Sequence, residues 1–131
     1  MVELAGRRIL VAEDIDLNAE ILMDLLDMEE MLSERAANGQ IAVDMFRDSE
    51  VGYYDAVLMD LRMPVMDGLE ATRQIRALDR PDAGTVPIIA VTANAFEEDV
   101  RKSLEAGMNA HLPKPTDIDM LCENLRKLIR K

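Results

Sequence analysis

Ala56-Val57-Leu58-Met59-Asp60 is a run of four apolar residues that stops on a carboxylate, and the residues after it decide how it folds. A short continuous apolar run bounded by turn signals reads as a buried strand. The loop beyond it carries Pro64 and Gly68, after which Ala71, Ile75 and Leu78 recur at helical spacing. The segment is therefore strand, loop, helix.

Three other runs end in the same manner. Ile9 to Ala12 leads into Glu13-Asp14, Ile88 to Val91 into Thr92, and Ala110 to Pro113 into Lys114, with helical stretches between them. Parallel α/β sheets bind ligands in the crevice at the carboxyl ends of their strands, so the four endings are expected to share one pocket. Three carboxylates crowded there repel one another and call for a hard divalent cation. Mg²⁺ prefers oxygen ligands and keeps several waters, and Mn²⁺ is its alternative. A Lys and a Thr beside them suit a phosphoryl group.

The rest of the chain fits the same alternation. Residues 8 to 13 read as a buried strand, and Leu17, Ile21, Leu25 and Met28 then recur at helical spacing with Asp24 and Asp27 on another face. Residues 31 to 36 read as a strand whose apolar pattern is interrupted by Ser33, Glu34 and Arg35, which an edge position tolerates. Asn38-Gly39 breaks the chain before Ala42, Met45 and Phe46, a short amphipathic helix. A loop at residues 80 to 84 precedes Pro87, which opens a strand over Ile88 to Thr92. Phe96, Val100 and Leu104 define the next helix, with Glu97, Glu98 and Asp99 favouring its positive N-terminal end and Gly107 stopping it. A strand over Ala110 to Leu112 comes next. Thr116 with Asp119 resembles a capping box for a last helix with the apolar stripe Ile118, Leu121, Cys122, Leu125, Leu128 and Ile129. The order βαβαβαβαβα requires a parallel sheet with helices on both faces, a doubly wound (βα)5 three-layer α/β sandwich in one domain, residues 1–131.

Composition narrows the function. A chain of 131 residues buries one core without disulfides, and Cys122 as the only cysteine and His111 as the only histidine leave no Cys/His metal spacing. Cys122 lies in the last apolar stripe, so it reads as packing. The net charge of -11 opposes unassisted binding to nucleic acid or anionic lipid. No apolar run approaches bilayer length and the start MVELAGRR lacks the apolar stretch of a signal peptide, so a cytoplasmic setting without membrane insertion is expected. A monomer or weak dimer is expected as well.

VAEDIDLN (11–18), VLMDLRMPVMDGLEATRQIR (57–76), PIIAVTANAF (87–96) and AGMNAHLPKP (106–115), in this order and at this spacing, resemble the receiver domain of two-component response regulators over essentially the whole chain. The resemblance implies a flavodoxin-like fold with sheet order 2-1-3-4-5. It implies that Asp60 is the phosphoacceptor, that Glu13, Asp14, Asp60 and the backbone carbonyl of Arg62 hold Mg²⁺, and that Lys114 and Thr92 contact phosphoryl oxygens. Thr92 and His111 would form the switch, and the Lys114–Pro115 peptide would be cis. Such a domain catalyses its own phosphorylation and dephosphorylation.

Asn18, GLEATRQIR, TANAF and the PKP ending look most like receivers of hybrid sensor histidine kinases and phosphorelays. The implied partners are a histidine kinase and a histidine phosphotransfer domain, with Asp16 and Asn18 in contact roles. The chain would then be a piece of a hybrid kinase; a stand-alone response regulator acting by protein binding is the alternative. Ile15 departs from the Asn often found after the acidic pair, and the polar second strand departs from the usual apolar one. An Asp-nucleophile, Mg²⁺-dependent phosphatase fits less well, because it wants a second Asp where this chain has Arg62. A flavodoxin-type electron carrier wants a first loop rich in Ser, Thr and Gly, and here that loop is acidic.

Overall fold

The computed structural model describes residues 3–93, 97–114 and 116–129. Strands and helices alternate as β1 (Arg8–Ala12), α1 (Asp16–Met28), β2 (Leu32–Ala36), α2 (Gly39–Asp48), β3 (Ala56–Asp60), α3 (Gly68–Arg76), β4 (Ile88–Thr92), α4 (Glu97–Ala106), β5 (Ala110–Pro113) and α5 (Ile118–Leu128). The five strands pair in parallel in the order β2-β1-β3-β4-β5, which is the expected topology. Every residue of β3 and β4 is buried. Successive side chains alternate between the sheet faces. Leu10, Val57, Met59, Ile88 and Ala90 meet Phe46 and Ile75 of α2 and α3. Ile9, Val11, Leu58, Ile89 and Val91 meet Leu22, Leu26, Leu121 and Leu125 of α1 and α5.

The polarity of β2 has structural uses at the sheet edge. Glu34 accepts hydrogen bonds from the Tyr53 hydroxyl at 2.6 Å and the Tyr54 hydroxyl at 2.7 Å. The Arg8 guanidinium lies 4.2 Å from the centre of the Tyr53 ring. The Tyr53 hydrogen bond, helped by Tyr54 and Arg8, holds the Glu34 carboxyl below its ordinary value despite the opposing effect of burial. Burial and Glu34 together push the Tyr54 phenol well up.

Several sequence expectations need correction. The stripe Leu17, Ile21, Leu25, Met28 marks a helix but not its packed face: Leu17, Ile21 and Met28 are 64%, 49% and 72% exposed and Leu25 is half-buried, whereas Ala19, Leu22 and Leu26 are buried. Two apolar stripes overlap in this helix, and spacing alone does not choose between them. Among the described side chains of α4, Ser103 and Ala106 are buried, Val100 is half-buried and Leu104 faces solvent; Phe96 lies outside the described residues. The Thr116–Asp119 capping box does not form. α5 starts at Ile118, and the Asp117 carboxylate immediately before it accepts from the N–H groups of Asp119 and Met120 at 2.8 and 3.3 Å. The N-cap of α1 is Ile15, with no side-chain hydrogen bond.

Arg80 closes the fold at the end away from the strand termini that carry the acidic residues. Its guanidinium donates to the carbonyls of Phe46 and Ser49 at 2.7 and 2.8 Å, pairs with Asp82 at 2.6 Å and lies 4.6 Å from the centre of the Phe46 ring. Burial pushes the Asp82 carboxyl up, but hydrogen bonds from Arg80 and the Gly52 N–H outweigh it and hold it below its usual value of 3.8. A depressed pKa stabilises the fold above that ordinary value and ceases to do so as pH falls through the folded one. Urea midpoints are therefore expected to show Asp82→Asn less stable than wild type at pH 7. The gap should narrow below about pH 4 as Asp82 itself protonates.

Candidate functional site

The sheet brings Glu13, Asp14, Asp60 and Lys114 together. Glu13 and Asp14 follow β1, Asp60 ends β3 and Lys114 follows β5. Glu13, Asp14 and Asp60 each offer a carboxylate oxygen within 4.8 Å of the others. The Lys114 Nζ donates to Glu13 Oε1 at 2.7 Å and to Asp60 Oδ2 at 3.2 Å. Burial pulls the lysine pKa down, but the Glu13 hydrogen bond and the charges of Asp60 and Glu13 outweigh it, so the ammonium is held above its ordinary value. Lys114 stays charged.

Backbone donors fix the carboxylates further. Ile15 N–H donates to Glu13 Oε2 at 3.1 Å, and Arg62 N–H donates to Asp60 Oδ1 at 3.2 Å. Glu13 and Asp60 are only 3% and 7% exposed. One ammonium among three carboxylates leaves the cluster short of positive charge, and uncompensated buried charge is costly. Asp14 Oδ1 is buried and has no hydrogen-bond partner, an expensive state for a carboxylate oxygen. An all-oxygen donor set with an orphaned carboxylate oxygen fits a hard divalent cation.

Thr92 ends β4, is 2% exposed and stands opposite Pro113 in the sheet register. Its carbonyl accepts from the Lys114 N–H at 2.9 Å. His111 is half-buried and stands opposite Ala90, two places earlier in the same register. Val91 and Leu112 belong to the layer under α1 and α5, so alternation puts Thr92 and His111 together on the other face. Pro115 lies outside the described residues, and the expected cis peptide with it. Asn18 lines a cavity of about 100 Å³ beside the site together with Glu13, Lys114 and Thr116.

The loop after Asp60 is held by close backbone approaches. A Cβ on Gly68 would lie 2.2 Å from the Asp60 carbonyl oxygen, and one on Gly39 would lie 2.2 Å from that of Met66. Gly68→Ala must displace the backbone of Asp60 itself, and overpacking of this kind costs about 1–3 kcal/mol. Its urea midpoint should fall, and phosphoryl uptake at Asp60 should fall with it. Between these two contacts Val65 adopts a φ of 69° while 81% exposed, a conformation that β-branched residues rarely take. Nothing in the sequence pattern signals that strain. Sequence reasoning also missed Arg35, whose guanidinium reaches the acidic loop; its polarity in β2 was the visible sign.

Comparison with known proteins agrees with this geometry. The family described as the response regulator receiver domain matches residues 9–126. The chain is 36% identical over 137 residues to hybrid signal transduction histidine kinase I of Dictyostelium discoideum, covering 99% of the chain and 8% of that protein. It is 39% identical over 112 residues to an osmosensing histidine protein kinase of Saccharomyces cerevisiae, covering 82% of the chain and 9% of that protein. The chain thus spans only about a tenth of such relatives.

Two solved structures are similar throughout. The receiver domain of a Pseudomonas aeruginosa sensor histidine kinase, with a magnesium ion coordinated in its active-site cleft, is 40% identical with a TM-score of 0.84, covering 95% of this chain and 98% of that one. The receiver domain of a Saccharomyces cerevisiae response regulator, crystallised with a histidine phosphotransfer signalling protein, is 29% identical with a TM-score of 0.82, covering 96% and 90%.

Proposed function

The chain belongs to the response regulator receiver domain family, and from that membership we propose that residues 1–131 act as one phosphoacceptor domain of a phosphorelay. The observation that carries the reading is the carboxylate trio, with Glu13 and Asp60 buried and Asp14 half-buried, beside a single ammonium and with an orphaned Asp14 oxygen. Asp60 Oδ attacks the phosphorus of a phosphohistidine; a P–O bond forms, the P–N bond breaks, and the leaving imidazole takes up a proton. Lys114 shifts from the Asp60 carboxylate to a phosphoryl oxygen, and the Thr92 hydroxyl donates to another. Glu13, Asp14, Asp60 and the Arg62 carbonyl would hold Mg²⁺, or Mn²⁺ in its place. Bound there, the cation supplies positive charge that offsets carboxylate repulsion and polarises the phosphoryl oxygens. Drawing the Thr92 hydroxyl inward vacates space that His111, on the same sheet face, can enter.

The relay subtype rests on the relatives, which include several hybrid signal transduction histidine kinases. Exposed Leu17 and Ile21 on α1 flank Asn18 beside the pocket, and Asp16 stands 92% exposed at its rim. A histidine phosphotransfer domain approaching Asp60 would dock there. With a net charge of -11 the chain should be met fastest by a basic patch, with an on-rate that falls as salt rises. No helix among the described residues is long and apolar enough to cross a membrane. We place the domain in the cytoplasm, as a monomer or weak dimer.

The test is phosphotransfer from the phosphorylated chain to a panel of histidine phosphotransfer domains. Transfer should occur to at least one of them. It should slow by about tenfold in Leu17→Ala, a loss of about 1.4 kcal/mol, while Asp16→Ala and Asn18→Ala show smaller effects. Hydrolysis without transfer to any domain would replace the relay by a stand-alone regulator.

A further inference from the structure

We propose that Arg35 is a positioning residue for the divalent-cation site, an inference that rests on the phosphoacceptor reading above. Arg35 stands opposite Val11 in the β1–β2 register, one residue before the strand ends. From there its guanidinium crosses to the β1–α1 loop. Nε and Nη2 both donate to the Glu13 carbonyl, at 3.1 and 3.0 Å, and Nη1 donates to Asp16 Oδ1 at 2.7 Å. One rigid planar fork thus grips the loop on both sides of Asp14.

The loop lacks the local support that would make such a grip redundant. α1 begins at an uncapped Ile15, whereas a Ser, Asp or Asn there could bond the first free N–H groups of the helix. The Ile15 N–H instead donates to Glu13 Oε2, so the side chain that should face a cation is also part of the loop's own bonding. Glu13 is fixed at every polar atom: its N–H donates to the Ala36 carbonyl, its carbonyl accepts from Arg35, and its carboxylate accepts from Lys114 and Ile15. Asp14 follows it with an orphaned buried oxygen, so its place depends on the backbone that Arg35 anchors at Glu13 and Asp16.

Charge and grip act on a bound cation with opposite signs, which separates the two roles. A guanidinium near three carboxylates competes with the cation, so if charge were its only effect, removing Arg35 would tighten Mg²⁺ binding. A residue that orients metal ligands acts the other way, and loss of such a partner weakens metal affinity about 10- to 100-fold. Asp16 is 92% exposed, so its half of the contact is screened by water and contributes little.

The experiment is calorimetric titration of the whole chain with Mg²⁺ alone, at a temperature where thermal melts show each variant fully folded. Arg35→Ala should weaken binding roughly tenfold, and Arg35→Lys at least about threefold, because an ammonium replaces the paired Nε and Nη2 hydrogen bonds to the Glu13 carbonyl with one. Asp16→Ala should change affinity less than about twofold. Amide exchange at Ile15 should quicken in both Arg35 variants. Arg35→Lys with wild-type affinity overturns the proposal, as does a folded Arg35→Ala that binds equally or more tightly. If Arg35→Ala does not fold, Arg35→Lys decides. A wild-type chain that binds no Mg²⁺ overturns the phosphoacceptor reading as well, whereas wild-type binding with indifferent Arg35 variants overturns this inference alone.

Discussion

Asp60→Asn should take up no phosphoryl group from a small phosphodonor under conditions in which the wild-type chain is expected to gain one. The amide is nearly isosteric with the carboxylate, so the buried position keeps its packing, but its lone pairs are delocalised and it carries no charge to attack phosphorus. The loss should be complete, because among the described residues only this carboxylate combines the end of a fully buried strand with contact to the ammonium. The fold should survive. Lys114 retains its shorter contact to Glu13 at 2.7 Å, and the ammonium is not orphaned by the change. Intact-mass analysis measures the outcome, with Mg²⁺ removed by chelation as a second arm that should also prevent uptake. Labelling of Asp60→Asn at wild-type stoichiometry would sink the assignment.

Lys114→Ala should slow phosphoryl uptake by about 10²- to 10³-fold, the usual cost of removing one preorganised donor from a developing anionic centre. Its second effect runs opposite to simple disruption. Without the ammonium, Glu13, Asp14 and Asp60 face one another uncompensated, so Mg²⁺ affinity should be maintained or rise while stability without the cation falls. Calorimetry and thermal melts with and without Mg²⁺ measure both. The raised lysine pKa means that the stabilising contribution of this ammonium is complete below the ordinary value of 10.5. It is lost only as pH rises through the higher folded value, so the difference between wild type and Lys114→Ala should hold steady across neutral pH.

The order of strands and helices was legible because each buried strand is a short continuous apolar run and each punctuating residue does a single job, whereas the sheet order 2-1-3-4-5 rested on the family resemblance. Asn38 accepts from the Ile41 N–H at the start of α2, and Asp67 accepts from the Glu70 N–H at the start of α3. The convergence of Glu13, Asp14, Asp60 and Lys114 followed from strand polarity alone. What escaped the sequence depends on three-dimensional choice. α1 carries apolar residues on two overlapping stripes, and only docking on the sheet decides that Leu22 and Leu26 turn inward while Leu17 and Ile21 turn out. Arg35 looked like tolerated polarity on an edge strand, since its targets Glu13 and Asp16 lie 22 and 19 residues away. Asp117 displaced the Thr116–Asp119 capping box because the helix begins one residue later than that motif assumes.

An acyl phosphate is reduced by borohydride to an alcohol, so trapping the phosphorylated chain and mapping its peptides reads the acceptor position directly. Conversion of Asp60 to homoserine, at that position alone and only when Mg²⁺ and phosphodonor are both present, is the expected result. Reduction at Glu13 or Asp14 in its place, or phosphate uptake with no reducible aspartyl group at position 60, would contradict it.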